Sequence, residues 1–366
     1  MKTLFEPTRI NGLELANRFV RSATAEGAAL PNGDVSEHQV NVLTTLAKGG
    51  VGLIITGAAY VSPEGGVSGG TGICNDSQIE GHRRITKSVH QAGGKIALQV
   101  FHNGKMASKA DTGLTPLVVS KDDNMGDDVR EMDAADFQRI SEAFVQGAVR
   151  AKTAEYDAVQ FHVAHGYFLH QVLSPNDNRR TDEYGGTLEK RIRVIAKIIA
   201  KTRKAVGVGY PLLLKINSED FIENGVTLED SLEAAKQFVA AGIDAVEVSS
   251  GLVLESARVG INSAAKEAYN RRQAARFKES LPVPVMLVGG VRSLEVAETL
   301  LENHVADYFS LSRPLVAEPA LINRWKSGDT QKAFCKSCNS CFKPLMTGEA
   351  VFCAVKRALQ KKNAVA

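Results

Sequence analysis

The chain alternates between short apolar runs rich in β-branched residues and longer stretches whose apolar residues recur every three or four positions. The short runs number eight: FVRSA (19–23), LIITGAA (53–59), IALQVF (96–101), AVQFHVA (158–164), LLLKIN (212–217), AVEVSS (245–250), VMLVGG (285–290) and YFSLSR (308–313). Most are almost continuously apolar, as strands covered on both faces must be. Between them lie stretches of helical period, SEHQVNVLTTLAKGG, QIEGHRRITKSVHQAGG, AADFQRISEAFVQGAVRAKTA, LEKRIRVIAKIIAKTRKAV, LEDSLEAAKQFVAAG and SLEVAETLLENH. Several end in Gly, a residue suited to helix C-termini. The repeated strand-then-helix order predicts an α/β fold, a (β/α)8 TIM barrel over residues 1–330, with its site at the C-terminal ends of the strands. A doubly wound open sheet is the alternative use of the same order.

Polar or Gly-rich stretches interrupt the pattern at 60–75, 102–134 and 174–186. Each follows a strand, so each is predicted to be a loop over the barrel mouth. From Gln331 the composition turns to Cys and Lys, and residues 331–366 are expected to form a Cys-rich extension packed on the barrel.

Composition narrows the function classes. With 366 residues, 44% hydrophobic and 23% charged, the chain can bury one large core. A net charge of +3, from 44 basic and 41 acidic residues, offers little attraction for nucleic acid or an anionic membrane. A small-molecule substrate is the expected partner, with a homo-oligomeric arrangement left open. The N-terminus MKTLFEPTRINGLELANRF has no signal-like apolar core, and no run approaches the ~18 apolar residues of a membrane span, so the expected location is cytoplasmic. Five cysteines, four of them between Cys335 and Cys353, make a poor disulfide framework and a good ligand cluster, so reduced thiols are expected. Cys74, alone in a loop, reads as a small buried residue.

The densest chemistry lies in QFHVAHGYFLHQVLSPNDNRRTDEYGG, residues 160–186. Two imidazoles, His162 and His165, can hold one carbonyl or nitro oxygen and stabilise charge developing on it, while the Tyr167 phenol can supply a proton. Core histidines and a packing tyrosine are the structural alternative. This segment resembles the Old Yellow Enzyme family, whose HxxHGY or HxxNGY is followed by SPxxNxRxDxYGG, here Ser174, Pro175, Asn178, Arg180, Asp182, Tyr184, Gly185 and Gly186. The resemblance implies that His162 and His165 bind substrate oxygen, that Tyr167 donates the proton, and that the loop residues are architectural.

The same resemblance implies bound FMN. NRFVRSATAEG is similar to the family's flavin-contacting segment, with Ser22, Ala23 and Thr24 at the ring edge and Ala25 near its reactive face. Many relatives carry Thr or Cys where Ala25 stands, so a lever on the flavin potential is missing here. Ala58 resembles the small residue that admits the ring, and Gln99 the amide that pairs with its pyrimidine edge. Lys215 stands where most relatives have Arg, and a cation there stabilises the reduced flavin. A salt bridge to Glu219 or Asp220 is the alternative use of Lys215.

Gly289 and Gly290 end the seventh strand, and Ser312 and Arg313 end the eighth. Loops at these two positions bind phosphate in many TIM barrels, through bare amides and an Arg fork. No strand is followed by GxGxxG, so no stably bound dinucleotide is expected. NADH or NADPH is expected to visit the substrate's place as a transient reductant, giving ping-pong kinetics.

Cys335, Cys338, Cys341 and Cys353 form C-x2-C-x2-C-x11-C, a spacing that can hold a [4Fe–4S] cluster or tetrahedral zinc. The segment resembles that after the barrel in 2,4-dienoyl-CoA reductases and trimethylamine dehydrogenases, which continue into a nucleotide-binding half. With the sequence ending at Ala366, the expectation divides between a cluster served by an external electron-transfer partner and a tail holding zinc or no metal.

Together these readings predict an ene-reductase that sends a hydride from FMN N5 to the β-carbon of an enone, enal or nitroalkene. An FMN/iron–sulfur reductase or dehydrogenase of the dienoyl-CoA or amine type is the second reading. A flavin- or phosphate-binding sensor barrel without catalysis is the third.

Overall fold

Each apolar run forms a strand in the computed structural model of the protein, which describes residues 3–123, 125–252, 267–347 and 349–363. The strands are β1 (Phe19–Arg21), β2 (Leu53–Ile55), β3 (Ile96–Phe101), β4 (Ala158–Val163), β5 (Leu212–Asn217), β6 (Ala245–Ser249), β7 (Val285–Val288) and β8 (Tyr308–Leu311). Neighbours pair in parallel around the whole ring: β8 returns to β1, and β3 meets β4 through Ala97↔Ala158 and Val100↔Phe161. An open sheet would leave two unpaired edges, so this closure excludes the doubly wound arrangement. The protein is a (β/α)8 TIM barrel.

The outer helices are α1 (Glu37–Lys48), α2 (Ile79–Gln91), α3 (Ala134–Thr153), α4 (Leu188–Val206), α5 (Leu228–Ala240), α6 (Arg271–Ser280), α7 (Leu294–Glu302) and α8 (Leu321–Lys326). Their starts follow from local chemistry. Ser36 and Asp133 form capping boxes with Gln39 and Asp136, and the Thr187 and Thr227 hydroxyls accept from the amides of Lys190 and Asp230. Helices α6 and α8 are not among the six helical stretches quoted above, although the eightfold repeat required a helix after those strands. Of α6 only Ala274 and Phe277 are buried, too thin a stripe to register as helical period, and α8 spans only 6 residues.

Successive strand residues face opposite sides, and this parity sorts the strands into layers. Leu212, Leu214 and Ile216 of β5 join the large core shared with the helices, whereas Leu213 joins a second cluster with Val20, Leu53, Ala97, Ala158, Ala245 and Met286. That second cluster fills the barrel's N-terminal end. A hairpin of Thr8–Ile10 and Leu13–Leu15 closes it by adding Ile10, Leu13 and Leu15. Two residues further along the same parity the interior turns polar, with Gln99, Gln160, Lys215 and Glu247 all buried. Two further still lie Phe101, His162, Asn217 and Ser249, at the rim where the loops begin.

The tail lies against two neighbouring pieces of this rim. Val351 N donates to Glu26 O at 2.9 Å, and Lys356 Nζ donates to Ala317 O at 2.9 Å. Gly27, at φ +69, packs so closely on the tail that a Cβ there would sit 2.6 Å from Leu345. No helix among the described residues is long and apolar enough to cross a membrane.

Candidate active site

His162 is the fifth residue of β4, and the chain must turn sharply after the strand to bring the next functional groups back over it. The turn is made by His165 at φ +63 and Gly166 at φ +83. Left-handed backbone costs a non-glycine residue roughly 1–2 kcal/mol, and tertiary bonds hold it here. His165 N donates to Asn217 Oδ1 at 3.3 Å, and His165 Nε2 shares a hydrogen with Ser249 Oγ at 2.7 Å.

The turn assembles three rings. His162 and His165 lie 5.2 Å apart and nearly perpendicular, and the Tyr167 ring is 4.8 Å from that of His162. Phe101, from β3, braces Tyr167 edge-on at 5.3 Å. Nδ1 of His162 is buried without a hydrogen-bond partner, an uncommon state for a polar atom.

Burial governs the protonation of all three. It pushes His162 well below the ordinary imidazole range, with the positive charge of Lys215 and the neighbouring His165 ring adding to the effect. It brings His165 down to about 3, again reinforced by Lys215. At neutral pH both imidazoles are therefore uncharged, each offering one N–H donor. Burial raises the Tyr167 phenol, so it keeps its proton for transfer.

Beneath the rings, the polar interior layer is one connected chain. Gln99 Nε2 donates to Gln160 Oε1 at 2.7 Å, and Gln160 Nε2 donates to Glu247 Oε2 at 3.1 Å. The same Glu247 oxygen lies 3.2 Å from Lys215 Nζ, which also donates to Ser22 Oγ at 2.8 Å. Gln99, Lys215 and Ser22 thus belong to one bonded network. The partner of Lys215 is Glu247 rather than Glu219 or Asp220; Asp220 is bonded to His170 at 2.9 Å. Gln160 and Glu247 escaped the sequence reading, although each is a polar residue at an inward position of an apolar strand, which is the signal that could have found them.

The segment after β1 is held down by a buried ion pair, Arg21 with Glu26 at 2.8 Å, and by Glu26 accepting from Gly57 N. A side chain at position 57 would collide with Glu26 and with Thr24 O, so only glycine allows β2 to end this close. The result leaves Ala25 exposed and Ala23 and Ala58 half-buried, while Thr24 Oγ1 bonds Ser312 Oγ at 2.7 Å.

Gly289 and Gly290 take φ +150 and +78 at the end of β7, beside Ser312 and Arg313 at the end of β8. The Arg313 guanidinium turns to the tail, donating to Asn339 Oδ1 and, at 3.5 Å, to Ser337 O. There it lines a cavity together with Cys335, Cys338, Cys341 and Cys353. All five cysteines are free thiols, and no group of three or more His, Cys, Asp or Glu among the described residues is arranged to hold a single metal ion. Cys74 donates to Tyr60 O at 3.4 Å, and burial pushes its thiol up to about 12, which removes it as a nucleophile.

The loop after Tyr167 is tied to structure. Asn178 Nδ2 donates to Val172 O and Tyr184 O, and Arg180 Nη1 donates to Val119 O and Met132 O. Tyr184 stacks on Phe137 at 4.3 Å.

Residues 3–332 match the NADH:flavin oxidoreductase / NADH oxidase family. The chain belongs to this family. Within it, the chain is 32% identical to the NADH oxidase of Thermoanaerobacter brockii, over 99% of its own length and 59% of the relative's. It is 32% identical to the NADPH dehydrogenase of Bacillus subtilis, covering 87% of this chain and 92% of that one. It therefore spans little more than half of one curated relative and nearly all of another. A structure of 2-naphthoyl-CoA reductase with 2-naphthoyl-CoA superposes with a TM-score of 0.90 at 25% identity, over 96% of this chain and 56% of that chain. The Old Yellow Enzyme homologue of Zymomonas mobilis shares the fold, with a TM-score of 0.78 at 24% identity and coverage of 92% and 96%. The chemistry of the barrel interior suits a flavin: Gln99 offers an amide, Lys215 an ammonium group, and His162 Nδ1 is buried without a partner.

Proposed function

We propose that the protein is an FMN-dependent NAD(P)H oxidoreductase that reduces the activated C=C bond of α,β-unsaturated carbonyl or nitro compounds. The observation that carries this reading is the meeting of two neutral imidazoles and one protonated phenol over a buried amide–carboxylate–ammonium layer. Ser22, Ala23, Thr24, Ala58, Gln99 and Lys215 would hold the flavin ring, and Gly289, Gly290, Ser312 and Arg313 its phosphate. When bound, FMN supplies the hydride that NADH or NADPH has delivered to it.

The rest of the chemistry belongs to the side chains. His162 and His165 hold the substrate oxygen through their N–H groups and stabilise the negative charge that grows there. Tyr167, whose phenol burial keeps protonated, delivers a proton to the α-carbon. Pairing of His165 with Ser249 fixes the ring's orientation before substrate arrives.

Anaerobic stopped-flow with FMN-loaded protein tests this. Tyr167→Phe is expected to leave bleaching of the flavin band by NAD(P)H unchanged and to slow its return with 2-cyclohexenone by ~10²-fold or more. Failure of the folded protein to take up FMN, or equal return rates in both proteins, would end the proposal.

A second reading is favoured by the four cysteines sharing one cavity beside a tail docked on the Glu26 loop. In it, Cys335, Cys338, Cys341 and Cys353 hold a [4Fe–4S] cluster that exchanges electrons with an outside carrier. Iron and acid-labile sulfide, measured on anaerobically purified protein, are expected near four of each per chain on this reading. Zinc alone, or no metal, rejects it.

A further inference from the structure

The interior layer contains a charge that the proposed reaction does not use. Glu247 is 0% exposed and Lys215 4%, and the two sit side by side in the register of β5 and β6. Their separation is thus set by the sheet rather than by two mobile side chains. One carboxylate oxygen accepts from both Lys215 and Gln160, and the other, Oε1, is buried without a partner. Glu247 consequently touches Lys215 directly and reaches Gln99 through one intervening amide. Those are two of the side chains proposed above to hold the flavin ring.

We propose that Glu247 sets the redox potential of bound FMN by offsetting the field of Lys215. The inference rests on the flavin placement proposed above. A cation under the pyrimidine edge stabilises the negative charge that reduction adds to the ring, which makes the reduced cofactor a weaker hydride donor. A carboxylate 3.2 Å from that cation cancels much of its long-range field. With both groups out of water, solvent does little of the screening and the partner charge does most of it. Glu247 thereby keeps Lys215 available as a hydrogen-bond donor to the ring while holding the potential low. Its role is electrostatic, since its charge opposes that of Lys215 at the ring without touching the reacting atoms.

The test is the two-electron midpoint potential of bound FMN, measured by dye equilibration in wild type and in Glu247→Gln. The substitution keeps the shape and the acceptor for Gln160, and removes the charge. The potential is expected to rise, by at least a tenfold shift in the reduction equilibrium, about 30 mV. An unchanged or lowered potential with FMN bound overturns the inference and leaves the function intact. Wild-type protein that binds no FMN overturns the flavin placement itself. Should Glu247→Gln not fold, Lys215→Gln and Lys215→Gln/Glu247→Gln are compared instead. The double variant must then show the higher potential, and equality or the reverse order refutes the proposal.

Discussion

Replacing His162 and His165 together with Ala is expected to lower enone turnover and the affinity for a phenolic ligand by ~10²–10³-fold, with FMN retained. Both effects arise because the two rings would face the same oxygen. Each imidazole is uncharged and desolvated, so it offers a pre-oriented N–H in a medium where such a dipole is worth more than in water. His162 is already stripped of a partner at Nδ1, so part of its cost of burial is met before substrate binds. Because both donors serve one oxygen, their single-variant losses should not add. Ligand titration at the flavin band reads affinity, steady-state kinetics reads turnover, and the unaltered flavin content of the purified variant controls for folding. Turnover and ligand affinity within threefold of wild type would remove both histidines from the mechanism.

The second large effect is on stability. Lys215→Met leaves Glu247 buried with its ammonium partner gone, and breaking one side of such a pair costs about 3–5 kcal/mol. For a chain of this length that is roughly 4–7 °C in Tm. Lys215→Met/Glu247→Gln is expected to recover most of the loss, since no unpaired charge remains and Gln at position 247 still accepts from Gln160. Thermal melts of the three proteins in the FMN-free form provide the check. If the double variant melts no higher than the single one, the two side chains are not energetically coupled.

Much of the architecture was open to reading from residue order. Eight apolar runs that required cover on both faces fitted a barrel with helices outside, and the strand limits moved by at most two residues except in β2, which ends at Ile55, four residues before its run does. The meeting of the two histidines and the tyrosine was legible because the three groups stood within six residues at the end of one strand. Loop residues such as Asn178 and Arg180 were also read as architectural, and their bonds to Val172, Val119 and Met132 carbonyls are of that kind.

What the sequence could determine by itself was therefore local: which segments are strands, where a rim must lie, and which neighbouring residues share a function. Tertiary structure alone decided the pairing of Lys215 with Glu247, 32 positions away, and the turning of Arg313 toward the cysteine tail. Ring closure brings β3, β4, β5 and β6 together so that Gln99, Gln160, Lys215 and Glu247 occupy one layer. A linear reading sees four isolated polar residues in apolar runs. Their meaning comes from a barrel interior in which buried polar side chains find partners across strands, however distant along the chain.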